Sequence, residues 1–112
     1  MAIMSIWKAP QSVEKQQAVL KHGVRAQDVD NPLGRGHCDY GFVFFAETKE
    51  DAAHFAYYYG AGIIEFRIDS ADYARLNKTC RPFAEFEQNE VLVPYSELEA
   101  FNRYVVERRL HK

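Results

Sequence analysis

Two polar residues stand at the start of a short apolar segment near position 90. Gln88 and Glu90 precede the sequence valine-leucine-valine, and Pro94 ends the segment. Because alternate residues of a β-strand point to the same side, Gln88 and Glu90 would share one face of a strand. A carboxylate at the entrance of a strand is reachable from solvent while its backbone is fixed, which suits a catalytic group. An ordinary exposed glutamate that enters an edge strand is the alternative that the spacing leaves open.

The segment Gln88–Pro94 resembles the glutamine/glutamate-x-glutamate signature of mono-ADP-ribosyltransferases, which transfer ADP-ribose from NAD⁺ to a protein or a nucleic acid. The order of the other segments is also similar to this family, and most similar to the small toxin domains of bacterial polymorphic and secreted toxins. The resemblance covers most of the chain and implies a compact α+β fold, in which short helices flank a split β-sheet core. It implies NAD⁺ as the substrate without a metal, Glu90 as the carboxylate that stabilises the ribosyl cation, and Gln88 as a residue that recognises the acceptor.

The second motif of the family is an aromatic strand that ends in serine-threonine-serine, and residues 44–48 resemble it. Phe44, Phe45 and the hydroxyl of Thr48 match the motif, whereas Ala46 stands in place of its first serine. Adjacent strand residues point to opposite sides, so one phenylalanine would line the NAD⁺ pocket and the other would enter the core. Core packing of both rings remains the alternative, and Thr48 would also cap the following helix.

The third motif is a basic residue on the first strand, and Trp7 and Lys8 take its place here. Lys8 offers a point charge instead of the bidentate guanidinium fork of arginine. The resemblance implies that Lys8 holds a phosphate of NAD⁺ with Trp7 beside it. Arg35 and Arg25 are further candidates for contact with the pyrophosphate. A solvated lysine at the end of a strand is the alternative for Lys8, and the glycine-arginine-glycine sequence around Arg35 is otherwise a flexible loop.

Composition and charge restrict the class of protein. The chain has 112 residues, 47% of them hydrophobic, which indicates one folded domain spanning 1–112. Its formal net charge of −2 gives no overall attraction to nucleic acid or to an anionic membrane. Cys38 and Cys80 lack metal-ligand spacing and are expected to be reduced, with a single disulfide as the alternative. Since no apolar segment reaches the roughly 18 residues of a membrane span, we expect no membrane partner.

Periodicity and capping residues predict the elements that must position these groups. We expect strands at 3–7, 41–46, 63–68, 88–93 and 104–110, with a continuation of the preceding helix as the alternative for the last. Helices are expected at 13–22 and after Thr48, Ser70 and Ser96 as capping residues. The buried faces are expected to contain Val13, Gln17 and Leu20 in the first helix and Ala52, Phe55, Ala56 and Tyr59 in the second. Residues 24–40 and 77–85 carry no periodicity and are predicted to be loops.

Two function classes fit these observations. The first is a mono-ADP-ribosyltransferase toxin or effector domain that acts in the cytoplasm on a protein or nucleic-acid acceptor. A secretion system would deliver this domain within a larger toxin. A cognate immunity protein would inhibit it. The second is a catalytically inactive domain of the same fold that inhibits a partner by binding. Lys8 and Ala46 favour this class, because they differ from the residues that the family motifs have at these positions. An RNA 2′-phosphotransferase of related fold ranks below both, because it would need more basic residues than Lys8, Arg25 and Arg35 provide.

Overall fold

The computed structural model describes residues 2–26, 41–83 and 88–112. Strands and short helices alternate along these ranges, so the α+β class expected from the sequence is confirmed. The elements in chain order are β1 (Ile3–Lys8), α1 (Val13–His22), β2 (Phe42–Phe45), α2 (Lys49–Tyr59), β3 (Ile63–Asp69), α3 (Ser70–Arg75), β4 (Thr79–Phe83), β5 (Gln88–Pro94), a 3₁₀ turn (Tyr95–Glu97), α4 (Leu98–Tyr104) and β6 (Val105–His111).

The strands form two three-stranded antiparallel sheets. Sheet A has the order β1-β3-β6, and sheet B has the order β2-β5-β4. The two sheets are linked where β1 meets the end of β2: the Trp7 N–H donates to the Ala46 carbonyl at 2.8 Å, and the Ala46 N–H donates to the Trp7 carbonyl at 2.7 Å. We call this pair, Trp7 and Ala46, the sheet junction. Within the described ranges it is an isolated bridge, so the two sheets diverge on either side of it.

The main core joins one face of each sheet to α1, α3 and α4. The alternation predicted for β3 is confirmed, because Ile64, Phe66 and Ile68 are all fully buried. At the centre of the core, the Phe45 ring lies 5.6 Å from the Phe66 ring and 4.8 Å from the Phe101 ring, centroid to centroid. These rings come from sheet B, sheet A and α4, so their contacts connect the three parts of the fold.

The capping residues that the sequence indicates for the two longer helices are confirmed. The Ser12 hydroxyl accepts a hydrogen bond from the Lys15 N–H at the start of α1, and Thr48 accepts one from the Asp51 N–H at the start of α2. A side-chain acceptor at this position satisfies an N–H group that the helix itself leaves unpaired. Helix α2 then packs over the sheet junction through Ala52 and Ala56.

The predicted buried face of α1 is right for Leu20, which is partly buried against the main core, and wrong for Val13 and Gln17. Val13 is 53% exposed and Gln17 is exposed, whereas Gln16 and Val19 are buried. The Gln16 amide explains the difference, since its Nε2 donates to the Ala61 carbonyl at 2.8 Å and so fixes which side of the helix faces inward. A long-range polar contact therefore outweighs the apolar spacing that predicted the other face.

Three further local expectations are corrected. Asp69 caps α3 in place of Ser70, because its carboxylate accepts from the Ala71 N–H. Ser96 lies inside the 3₁₀ turn without capping a helix, and α4 begins at Leu98. Residues 79–83, predicted to be irregular, form β4 because they pair with β5. Pairing between separate segments carries no local pattern, so a sequence window cannot reveal it.

Candidate functional site at the sheet junction

The three segments predicted to carry chemistry meet at the sheet junction. Strand β2 pairs with β5 so that Phe44 stands opposite Leu92 and Phe45 stands opposite Val91. Glu90 directly precedes Val91 and Ala46 directly follows Phe45, so both residues lie at the same end of the β2–β5 pairing. Because Ala46 is bridged to Trp7, the carboxylate strand, the aromatic strand and the first strand all approach one position in the fold.

Glu90 is a buried carboxylate on a central strand. It is 8% exposed, and β5 begins two residues before it and runs between β2 and β4. Within the described ranges, Gln16 is the other polar residue that is buried to this degree. The position differs from the expected solvent-reachable strand entrance, and it also excludes the alternative of an exposed glutamate on an edge strand. A carboxylate held away from bulk water acts more strongly on nearby charge than an exposed one.

The two phenylalanines of β2 lie on opposite faces of sheet B. Phe45 is 3% exposed and belongs to the main core, whereas Phe44 is only partly buried and lies on the other face. By strand alternation, Ala46 and Glu90 share the face of Phe44. Trp7 is on this side too, where it packs with Ala46 against α2. Phe44, Ala46 and Trp7 therefore lie on the same face as Glu90, and we call this the junction face. Phe45 lies on the opposite face.

Lys8 points away from this face, into the core side of the junction. Its Nζ donates to the Phe44 carbonyl at 3.0 Å and lies 5.6 Å from the centroid of the Phe45 ring. Burial, and to a smaller extent the positive charge of Lys15, lowers the pKa of the Lys8 ammonium to about 8. Lys8 therefore ties the end of β1 to β2, and the alternative of a solvated lysine does not apply. In this conformation its ammonium is on the opposite side of the sheet from Glu90.

The remaining predicted site residues are Thr48, Gln88 and Arg35, and of these Thr48 serves as a helix cap. Thr48 is exposed, and its Oγ1 is engaged by the Asp51 N–H at 3.2 Å as the cap of α2. Gln88 is the first residue of β5, opposite Phe83 in β4, and its side chain lies outside the part that the structure describes. Arg35 also lies outside the described residues.

A buried tyrosine fixes the segment that follows Ala46. The hydroxyl of Tyr73 in α3 donates to Glu47 Oε2 at 3.0 Å, and Tyr73 is 7% exposed. Burial raises the pKa of Tyr73 strongly, and the bond to the Glu47 carboxylate raises it further. The contact anchors the turn between β2 and α2 and so helps to hold Ala46 in place against Trp7.

A polar cluster beside the junction was missed by sequence reasoning. On the outer face of sheet A, Ser5 Oγ donates to Glu65 Oε2, and His111 Nε2 lies 2.8 Å from Glu65 Oε1. Burial would raise the pKa of Glu65, but hydrogen bonds from Ser5 and His111 lower it overall. The His111 ring also lies 5.3 Å from the Trp7 ring, so the cluster supports the aromatic side of the junction. These residues come from three strands, and no local spacing connects them.

Comparisons of the chain with protein-family models, with curated proteins and with solved structures found no match. Across residues 2–26, 41–83 and 88–112, no three His, Cys, Asp or Glu residues are grouped so that they could hold a metal ion. No helix in these same ranges combines the length and the apolar character needed to cross a membrane. The candidate site is therefore defined by its geometry, with the Glu90 carboxylate on the junction face.

Proposed function

We propose that the chain is a mono-ADP-ribosyltransferase domain that transfers ADP-ribose from NAD⁺ to a protein or nucleic-acid acceptor. The observation that carries the proposal is the position of Glu90, a buried carboxylate one strand away from the Trp7–Ala46 bridge. Three segments that resemble separate motifs of one family, and that lie far apart along the chain, are adjacent in the fold. Their adjacency supports the proposal.

The chemistry assigns roles to Glu90, Phe44 and Trp7. Breaking the bond between nicotinamide and ribose develops positive charge on the ribose while nicotinamide leaves as a neutral base. A fixed carboxylate in a partly enclosed position stabilises that charge without having to reorganise. In the proposal Glu90 lies beside the ribose, and Phe44 and Trp7 offer aromatic surface to the nicotinamide ring. The nitrogen or oxygen of the acceptor then attacks the ribose carbon that nicotinamide has left, a new bond to that carbon forms, and the proton of the acceptor passes to water.

The biological setting that we propose rests on the resemblance to the toxin domains of this family. The domain would act as a toxin or effector on a target in the cytoplasm, after delivery by a secretion system within a larger protein. A cognate immunity protein would keep it inactive in the producing cell. NAD⁺ is the substrate in this setting, and the step itself calls for no metal.

A second candidate function is favoured by the direction of Lys8. A transferase needs groups that hold the phosphates of NAD⁺, and the Lys8 ammonium is bonded to the Phe44 carbonyl on the core side instead. Ala46 also offers no hydroxyl where the motif has a serine, and it is packed beneath α2. A domain that keeps the fold but inhibits a partner by binding would have both features.

Replacement of Glu90 by glutamine tests the transferase proposal. Glu90→Gln keeps the shape of the side chain and removes its charge, so we expect NAD⁺ turnover to fall by about 10²–10³-fold or more. Nicotinamide release from labelled NAD⁺ measures turnover, and incubation with a cell lysate followed by separation of protein from nucleic acid identifies the acceptor class. Glu99→Gln is the matched control, because Glu99 is exposed on α4. Equal turnover in folded Glu90→Gln and Glu99→Gln proteins would refute the role of Glu90, and no turnover in the native protein would favour the second candidate.

A change at Gln88 separates acceptor recognition from NAD⁺ cleavage. Gln88 lies two residues before Glu90 in β5, so we assign it to the acceptor and not to the reacting sugar. Gln88→Ala should leave hydrolysis of NAD⁺ by water unchanged and reduce transfer, because transfer also requires an acceptor held within reach. Nicotinamide release measured with and without the acceptor compares the two activities. Parallel loss of both would place Gln88 in the NAD⁺ site instead.

A further inference from the structure

Glu65 is a partly buried carboxylate on the outer face of sheet A that the proposed mechanism does not use. Its side chain is 13% exposed, and it lies in the middle strand β3, directly opposite Trp7 in β1. Alternation along β3 puts Phe66 in the main core and Glu65 on the other face, which is the face of Trp7. A carboxylate that is withdrawn from water to this degree requires hydrogen-bond partners.

Two side chains supply these partners, one from each neighbouring strand. The Ser5 hydroxyl in β1 donates to Glu65 Oε2, and His111 Nε2 in β6 lies 2.8 Å from Glu65 Oε1. Burial disfavours the charged form, but these hydrogen bonds and the charges of His111 and Arg109 lower the pKa of Glu65 below its ordinary value. Glu65 is therefore a charged acceptor at neutral pH, and a charged acceptor holds its donors more strongly than a neutral one.

The backbone of His111 is fixed by its place in the sheet. His111 stands opposite Ile63 in the regular part of the β3–β6 pairing, whereas the shift in register lies at the other end, beyond Arg67. Gly62, just before β3, has a φ of +73°, and a Cβ at this position would come within 2.8 Å of the His111 carbonyl oxygen. The end of β6 thus packs closely on the start of β3. The bond to Glu65 then fixes the imidazole ring.

The His111 ring in turn contacts the indole of Trp7. The ring centroids are 5.3 Å apart, and the ring planes are inclined by 59°. The two residues belong to the outer strands of sheet A, which lie about 10 Å apart across β3, so both side chains lean toward each other over that strand. The indole also packs against Ala46 and Ala52, the second of which belongs to α2. Contacts with α2 and with His111 therefore hold the indole on the junction face.

We propose that Glu65 is a positioning residue of the junction face, which holds His111 against Trp7 and so fixes the aromatic surface that the nicotinamide ring meets. The nicotinamide part of this role rests on the proposed function, whereas the effect on Trp7 is a property of the free protein. A ring that is fixed before the ligand arrives loses no further freedom on binding. Ordering one side chain during binding instead weakens affinity by about 2–10-fold.

Time-resolved fluorescence anisotropy of Trp7 tests the positioning without any ligand. Trp7 is the single tryptophan of the chain, so excitation at wavelengths that tyrosine does not absorb reports its ring alone. We expect an order parameter of about 0.85 in the native protein, as for a rigid backbone, and below about 0.6 in Glu65→Ala. Glu65→Gln should stay near the native value, because its amide oxygen accepts from Ser5 and its N–H group donates to the other tautomer of His111.

Three further variants separate this role from a general loss of stability. His111→Ala removes a side chain that is 31% exposed and should loosen the indole, so it tests the proposal even if Glu65→Ala fails to fold. His22→Ala removes an exposed imidazole on α1 and is its matched control. Asn102→Ala removes two hydrogen bonds to the backbone of Val24 in the main core and leaves the indole contacts in place. Both controls should keep the native order parameter, and circular dichroism verifies that each variant is folded.

NAD⁺ kinetics then connect the indole to the ligand. Since Glu65 acts through Trp7 and not on the reacting sugar, Glu65→Ala should raise the KM for NAD⁺ by about 2–10-fold and change kcat less. A native protein without NAD⁺ turnover would refute the proposed function, and the anisotropy would still decide whether Glu65 and His111 position Trp7.

The proposal is overturned if the indole is as rigid in Glu65→Ala and His111→Ala as in the native protein. Equal loosening in Asn102→Ala would also overturn it, because the effect would then reflect stability alone. Loosening in Glu65→Gln as large as in Glu65→Ala would contradict the part played by the hydrogen bonds. A loosened indole with an unchanged KM in an active enzyme would contradict the part played by Trp7 in binding.

Discussion

Truncation of Phe45 to alanine should destabilise the protein much more than truncation of its neighbour Phe44. The Phe45 side chain is 3% exposed, and its ring contacts the Phe66 and Phe101 rings at centroid distances of 5.6 and 4.8 Å. Removing a buried ring costs the transfer of its atoms and also leaves a cavity, together about 3–5 kcal/mol. The ammonium of Lys8 would lose the ring beneath it as well.

The expected loss for Phe44 is smaller because the residue is only partly buried and lies on the other face of sheet B. Partial burial of a phenylalanine contributes about 1–2 kcal/mol. The free energy of unfolding of a single domain is commonly about 5–15 kcal/mol. Phe45→Ala should therefore remove a large share of this stability, and Phe44→Ala a small share. If Phe44 contacts nicotinamide, its truncation should weaken NAD⁺ binding by more than it lowers stability.

Urea unfolding of the two variants provides the comparison. The fluorescence of Trp7, the single tryptophan of the chain, and circular dichroism report the transition. Phe45→Leu is a useful third variant, since it keeps an apolar side chain in the cavity and should recover part of the loss. Calorimetric titration with NAD⁺ completes the test on the folded variants. Equal losses of unfolding free energy at Phe44 and Phe45, with unchanged NAD⁺ affinity, would refute the assignment of the two faces.

Two further predictions concern buried polar groups. Because burial lowers the pKa of Lys8 to about 8, the unfolded chain binds more protons than the folded protein between about pH 8 and 10.5, and stability should rise with pH in this window. In Lys8→Met the rise in unfolding free energy across this window should be smaller by about 1–3 kcal/mol. Urea unfolding midpoints at several pH values measure the rise, and the same dependence on pH in both proteins would contradict the prediction. Asn102 accepts a hydrogen bond from the Val24 N–H at 2.9 Å and donates to the Val24 carbonyl at 2.8 Å. Asn102→Ala should cost about 2–4 kcal/mol in chemical unfolding, since both backbone groups of a buried residue lose their partner, and a loss below 1 kcal/mol would count against this role.

Local signals in the sequence predicted most elements of the fold. The alternation of Ile64, Phe66 and Ile68 defines β3, and Ser12 and Thr48 mark the starts of α1 and α2. Such patterns depend on residues a few positions apart and can be recognised in one segment. Strand β4 could not be predicted in this way, because it exists through its pairing with β5.

The candidate site was predictable as a set of segments and less so as a set of side-chain directions. Alternation fixes how neighbours within one strand differ, but it does not tell which side of one strand meets which side of another. The Trp7–Ala46 bridge sets that relation, and it places Trp7 with Glu90's face and Lys8 on the core face. A register shifted by one residue would have exchanged the two.

The position of Lys8 on the core face affects how NAD⁺ would be held. If the ligand lies beside Glu90, the Lys8 ammonium cannot reach its phosphates without breaking the bond to the Phe44 carbonyl and crossing the sheet. The cation for the pyrophosphate must then come from another residue, and Arg35 and Arg25 are the candidates that the sequence offers. Lys8 would instead act on the site through β2, by holding Phe44 and the junction in register. Removing Lys8 should therefore affect the stability of the junction, because the bond to the Phe44 carbonyl is lost, and should not remove a direct contact with the ligand.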